Sequence, residues 1–226
     1  MSIDVFTTIK VVDGEPRYFH DHLKRLYSHA SALGLDAPFI DLLTVQRYLA
    51  DHEAMAGTWR LKLIITKQNG GVSIELTPYE PPLNDCFKIG IYPEPVEGPF
   101  SRFKTLANSA RLQIKNQALS EGLDDYLTVN RDGFLLEGSY SNVFWIKDKS
   151  VFTPSRELPL LDGITLRKVQ EYLLAMGYRF EEVKTKQIPA GSYCYLCNSM
   201  MGVVPVIEIK GQEMPKNIRL GSILAK

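Results

Sequence analysis

Phe134-Leu135-Leu136-Glu137-Gly138-Ser139-Tyr140-Ser141-Asn142-Val143-Phe144 is the stretch whose reading decides the fold. Two apolar runs of strand length flank a carboxylate and a bend of small residues. Asp132-Gly133 before it is a turn signal, and Gly138-Ser139 lets the backbone reverse sharply. Taken alone, Glu137 reads as a surface glutamate at a strand end. A charge that far inside an apolar stretch is otherwise costly unless a cation meets it. Its company argues for the second reading. Phe103-Lys104-Thr105 lies upstream; Thr153-Pro154 and Leu161-Asp162-Gly163-Ile164-Thr165 lie downstream.

In that order the pieces resemble the class IV, or fold-type IV, pyridoxal-phosphate enzymes. Members include branched-chain aminotransferases, D-amino-acid aminotransferases and 4-amino-4-deoxychorismate lyases. The family pattern is a lysine, a helix, a strand pair carrying E-G-S-x-S-N-x-F, then T-P, then L-x-G-I-T opening a helix. The resemblance covers nearly the whole chain. It implies an α+β fold of the D-amino-acid-aminotransferase type, with a small α+β domain and a larger β-rich one and the cofactor between them. Pro81-Pro82 breaks the pattern of strands, so the expected division is 1–79, a linker at 80–85, and a cofactor-binding domain at 86–226.

Pyridoxal 5'-phosphate asks a protein for an amine, a partner for its ring nitrogen and a cradle for its phosphate. The resemblance gives the amine to Lys104, which would join the aldehyde as a Schiff base. Read without it, Lys104 is an exposed lysine like Lys62, Lys67 or Lys115. Glu137 would hold the pyridine nitrogen protonated. Gly163, Ile164 and Thr165 open a helix, whose free N–H groups and dipole suit a phosphate. The family's helical arginine to phosphate matches Arg25 in His-Leu-Lys-Arg-Leu. Counted back from Pro205, Ser199 matches a hydroxyl to phosphate, and Met200 a backbone N–H to substrate carboxylate.

Within the family, Phe6-Thr7-Thr8 looks like the lyase branch, and Ser109 stands where branched-chain aminotransferases carry a tyrosine. The first expectation is therefore a 4-amino-4-deoxychorismate lyase-like enzyme releasing pyruvate and 4-aminobenzoate. The alternative is a branched-chain or D-amino-acid aminotransferase using the same residues, and a third reading is a cofactor-binding protein without turnover. Members usually carry a further strand and substrate-pocket residues before the Phe6 strand, so the N-terminus reads as shortened. The family is commonly homodimeric, and a homodimer is expected here.

The totals narrow the classes. In 226 residues, 45% hydrophobic, Lys+Arg and Asp+Glu are 26 each, so no global field favours nucleic acid or an anionic membrane. No apolar run approaches the roughly 18 residues that cross a bilayer, and Met1-Ser2-Ile3-Asp4 has no signal-peptide character. A cytoplasmic enzyme with a small-molecule substrate is expected. Cys194 and Cys197 form a C-x-x-C inside Ser-Tyr-Cys-Tyr-Leu-Cys, which reads as a strand with buried thiols rather than a redox or zinc motif. His20 and His22 alone make no metal site, and no metal is expected.

Periodicity and punctuation place strands at 5–12, 17–19, 59–66, 72–78, 87–92, 126–129, 134–137, 142–147, 151–152, 180–183, 194–196 and 206–209. Gln68-Asn69-Gly70-Gly71 signals a hairpin. Helices are expected at Asp21–Leu33, Asp41–Met55, Leu106–Leu119 and Ile164–Met176, the last capped by Asp162, and a loop at 93–102 delivers Lys104.

Overall fold

The computed structural model describes residues 3–66, 71–107 and 110–217, so the hairpin residues 68–70, Lys67 and Ser109 lie outside the described residues. The fold is α+β, as expected. It divides into two compact units, one of Met1–Pro81 with Phe103–Asn108, the other of Pro82–Arg102 with Ser109–Lys226.

In the first unit, β1 (Val5–Val12), β2 (Glu15–Pro16), β3 (Thr58–Ile65) and β4 (Val72–Pro78) form an antiparallel sheet in the order β2-β1-β3-β4. β1 alternates strictly, burying Val5, Thr7, Ile9 and Val11. Its three aliphatic residues on that face are fully buried, each worth roughly 1.5–3 kcal/mol over exposure. They join the core that Leu23, Leu26 and Ala30 of α1 (Phe19–Ala32) and Val45 and Leu49 of α2 (Leu42–Asp51) complete.

Two local expectations change here. Arg17–Phe19 is not a strand, because Tyr18 sits at φ 53, a left-handed turn that starts α1 directly. The helix expected at Asp41–Met55 begins with Asp41 as its N-cap, accepting from Thr44 N at 2.8 Å, and stops at Asp51 rather than Met55. Glu53 at φ 57 breaks the helical path, and Asp13 and Gly57 exchange hydrogen bonds that pull the chain back to β1.

The Lys104 segment belongs to this unit, although the sequence placed it with the larger one. Thr105 bridges Val5 in antiparallel fashion, Phe6 N donates to Lys104 O at 2.9 Å, and Leu106 N donates to Asp4 O at 3.1 Å. The edge of β1 left open by the short β2 is thereby closed. This pairing explains why Leu106, where a helix was expected to begin, is not helical.

The second unit carries β5 (Phe87–Pro95), α3 (Ala110–Ser120), β6 (Asp125–Val129), β7 (Leu135–Gly138), β8 (Asn142–Lys147), β9 (Ser150–Pro154), α4 (Ile164–Ala175), β10 (Arg179–Val183), β11 (Tyr193–Asn198), β12 (Gly202–Ile209) and β13 (Gln212–Glu213). Its mixed sheet runs β10-β9-β8-β11-β12-β5-β6-β7, with β13 on β12. β5 outruns the expected strand because Pro95 still pairs with Val129 and Val96 N donates to Val129 O at 2.8 Å.

β8 is buried from Asn142 to Ile146, a sign of cover on both faces. Trp145 faces one core with Leu127, Leu135 and Val206; Phe144 and Ile146 face another with Leu166, Val169 and Leu173 of α4. Cys194 and Cys197 are free and lie on β11 in these two separate cores. No described helix is long and apolar enough to cross a membrane.

Candidate functional site

In the first unit, three side chains gather on the buried face of β1. Thr7 Oγ1 lies 2.7 Å from His22 Nδ1 and accepts from Arg25 Nη2 at 3.4 Å. Arg25 is thus buried, on the helix where the sequence put it, and not solvated. Helical spacing sets His22 and Arg25 three apart on one face of α1, above the inward row of β1. Burial first, then the charges of Arg25 and Lys104, hold His22 well below the usual histidine range, so its imidazole is neutral.

Lys104 is half-buried, with its Nζ over the Phe6 ring at 4.9 Å from the centroid. Its backbone N–H donates to His29 Nδ1 at 3.1 Å, and Phe103 meets the His29 ring edge-to-face at 5.3 Å. Arg25 and Lys104 are therefore brought into the same neighbourhood of β1, one behind the strand's buried face and one along its edge.

In the second unit, Glu137 is buried at the end of β7. Arg111 on α3 donates to its Oε1 and to Ser139 O at 3.2 Å. Asn142 Nδ2 reaches its Oε2 at 3.4 Å, and Leu161 N reaches both oxygens at 3.3 Å. The cation required by this burial is Arg111, which sequence reasoning missed. A single arginine on a helix with little amphipathic signal gives no hint of its partner.

Asn142 also donates to Leu161 O at 2.8 Å, tying β8 to the turn that enters α4. Gly163 stands so close to the Asn142 amide that a Cβ would collide with it. Asp162 does not cap α4; Gly163 is the N-cap, and Asp162 pairs instead with Arg167 through both carboxylate oxygens. A guanidinium fork within reach at i+5 outcompetes the capping amide. Ile164 and Thr165 occupy the first turn, and Thr165 Oγ1 is buried without a hydrogen-bond partner. A helix N-terminus beside an unpartnered hydroxyl suits an anion with oxygen acceptors.

The bend of the opening stretch has its own anchor. Asp125, buried at the start of β6, accepts from Ser139 N at 3.2 Å, Ser139 Oγ at 2.6 Å and Ser141 Oγ at 3.3 Å. Ser199 and Met200 form the turn between β11 and β12. Asn198 Oδ1 accepts from Met200 N and Met201 N, both at 2.9 Å, while its Nδ2 donates to Tyr140 O at 3.1 Å. The Met200 N–H assigned to a substrate carboxylate is thus engaged within its own turn. Among the described residues no three His, Cys, Asp or Glu side chains gather as a metal site.

The profile of the amino-transferase class IV family matches residues 4–209. An aminodeoxychorismate lyase from Vibrio harveyi is 25% identical over 255 residues, spanning 96% of this chain and 87% of that protein. A fold IV-transaminase from Curtobacterium pusillum superposes with a TM-score of 0.85 at 24% identity, over 98% of this chain and 82% of that one. A PLP-bound hypothetical aminotransferase from Mycobacterium tuberculosis does so with a TM-score of 0.80 at 22% identity, over 98% and 86%. The chain belongs to the amino-transferase class IV family, whose members are pyridoxal-phosphate-dependent enzymes.

Proposed function

We propose that the chain is a pyridoxal-phosphate-dependent lyase that cleaves 4-amino-4-deoxychorismate to pyruvate and 4-aminobenzoate. The observation that carries the site is the convergence of Glu137, Asn142 and the first turn of α4, where Thr165 Oγ1 is buried without a partner. That turn fits a phosphate, and Glu137 fits a protonated ring nitrogen. The lyase reading is supported by Phe6-Thr7-Thr8 and by likeness to the Vibrio harveyi lyase across most of both chains.

When bound, the cofactor withdraws electrons from the substrate α-carbon. The chain's own residues do the rest. Lys104 Nζ would be the amine that holds the cofactor aldehyde and the base positioned for the substrate α-proton. Arg25, the N–H groups of Gly163, Ile164 and Thr165, and the Thr165 and Ser199 hydroxyls are the groups that would hold the phosphate. Glu137 keeps the proton on the ring nitrogen. Met200 N–H binds the substrate carboxylate after exchanging its bond to Asn198. In an aminotransferase, Lys104 would serve as the same base and also as the acid that returns the proton.

Incubating the protein and pyridoxal phosphate with 4-amino-4-deoxychorismate should yield 4-aminobenzoate. Formation of keto acids from amino donors without 4-aminobenzoate would make it an aminotransferase, and no product with any donor would leave a binding protein. Borohydride reduction followed by peptide mapping should find the cofactor on Lys104. A homodimer in the cytoplasm completes the reading, checked by sedimentation and cell fractionation.

A further inference from the structure

The Lys104 main chain is held on two sides. One side is ordinary pairing to β1, through Phe6 N to Lys104 O and Leu106 N to Asp4 O. The other is a side chain: the Lys104 N–H donates to His29 Nδ1 at 3.1 Å, while the carbonyl of the same peptide, Phe103 O, accepts from Thr105 N at 3.2 Å. His29 stands in the last turn of α1, one helical turn beyond Arg25. Phe103, the residue before the lysine, packs edge-to-face on the same imidazole, with ring planes at 81°. One ring thus touches both the peptide entering Lys104 and the side chain preceding it.

We propose that His29 is a positioning residue that sets the direction of the Lys104 amine. A donating N–H requires a lone pair on Nδ1, so the ring proton sits on Nε2. Strand pairing at Phe6 and Leu106 fixes where the segment runs along β1. The peptide plane between Phe103 and Lys104 is then set by two contacts, Thr105 N donating to its carbonyl at 3.2 Å and His29 Nδ1 accepting from its N–H at 3.1 Å. Rotating that plane swings the Lys104 Cα–Cβ bond, and a displacement of about 1 Å at a reacting group is enough to slow chemistry strongly. Because α1 also carries Arg25 and His22 over Thr7, the same helix that would face the phosphate also aims the amine. The inference rests on Lys104 being the cofactor's amine.

Two substitutions separate the acceptor from the bulk. Asparagine places Oδ1 the same number of bonds from Cα as His Nδ1, so His29→Asn keeps an acceptor. His29→Leu keeps volume and removes it. Amide exchange at Lys104 is followed by NMR on 15N-lysine-labelled full-length protein. In parallel, pyridoxal phosphate is added, and the rate of its borohydride-trapped capture is measured. In that step the Nζ–carbon bond forms with loss of water, and borohydride supplies the hydride.

His29→Leu should raise Lys104 amide exchange and slow capture at Lys104 by about five- to tenfold each, the weight of one neutral hydrogen bond. His29→Asn should stay within about twofold of wild type in both. Wild-type exchange and capture in His29→Leu would overturn the proposal. Equal damage in His29→Asn and His29→Leu would also overturn it, since ring packing rather than the acceptor would then be responsible. If Lys104 is not the cofactor's amine, the wild-type adduct maps elsewhere while the exchange contrast persists. The two ideas therefore fail separately.

Discussion

Arg111→Met and Glu137→Gln, made singly and together, form a cycle whose outcome follows from exposure. The Glu137 side chain is 5% exposed and that of Arg111 19%. Deleting the guanidinium strands a nearly fully buried carboxylate, which costs about 3–4 kcal/mol, near the lower end for a broken buried pair. Neutralising Glu137 strands a cation that can still draw water, so Glu137→Gln should cost less, about 2 kcal/mol. The double variant leaves no charge behind. Its cost should fall short of the sum of the singles by at least about 2 kcal/mol. Urea or thermal unfolding of the cofactor-free protein reads this, Arg111→Met lowering Tm by roughly 10 °C. Adding pyridoxal phosphate should then stabilise Arg111→Met more than wild type, because a protonated ring nitrogen gives Glu137 a second cation. Additive single costs would refute the pairing. Equal stabilisation of Arg111→Met and wild type by the cofactor would refute the ring-nitrogen role of Glu137.

Three further outcomes are expected. Thr165→Val removes a buried hydroxyl that has no partner, so stability should hold or rise by up to about 1 kcal/mol, while pyridoxal-phosphate affinity falls about five- to tenfold; unchanged affinity would exclude Thr165 from the phosphate site. His22 is held below the ordinary histidine value of 6.5 in the folded state, so the unfolded chain binds the proton first. Stability from this site is full above that value and declines as pH falls below it, by about 1.4 kcal/mol per unit, until the folded His22 also titrates; a stability-versus-pH slope below 6.5 no different in His22→Asn would refute this. Burial pushes the thiols of Cys194 and Cys197 well up, so an aromatic disulfide reagent should label half-buried Cys86 quickly and the other two only on unfolding; three fast thiols would contradict the core placement.

The strands were legible where alternation or β-branching marks them, as in Val5–Val12, and the burial of Glu137 was legible only from the company of its stretch, since alone it reads as a surface glutamate. Partners were not. Arg111 and Glu137 meet only because α3 packs on β6, whose sheet neighbour is β7, a long-range fact that spacing does not encode. Asp125 looks like any strand-end aspartate until Ser139 and Ser141 fold over it. Asp162 carries a sound cap signal, yet Arg167 five residues on offers the stronger contact. Leu106 is not helical because Thr105 and Leu106 are already spent on the edge of β1, a competition between two elements that no local window contains.

β1 shows one residue type out of step: Thr7 interrupts an inward row of Val5, Ile9 and Val11. A strand slipped by one place on β3 would turn Phe6 and Thr8 toward α1 and carry the Thr7 hydroxyl away from His22 and Arg25. It would also shift the backbone groups at Asp4 and Phe6 that hold the lysine segment. A misregistered molecule would therefore lose the grip on Arg25 and on Lys104 in one event. On the roles proposed for Arg25 and Lys104 the strand acts as a proofreader: the alignment that builds the core is the one that would permit chemistry, and a chain folded out of frame would be silent rather than partly active.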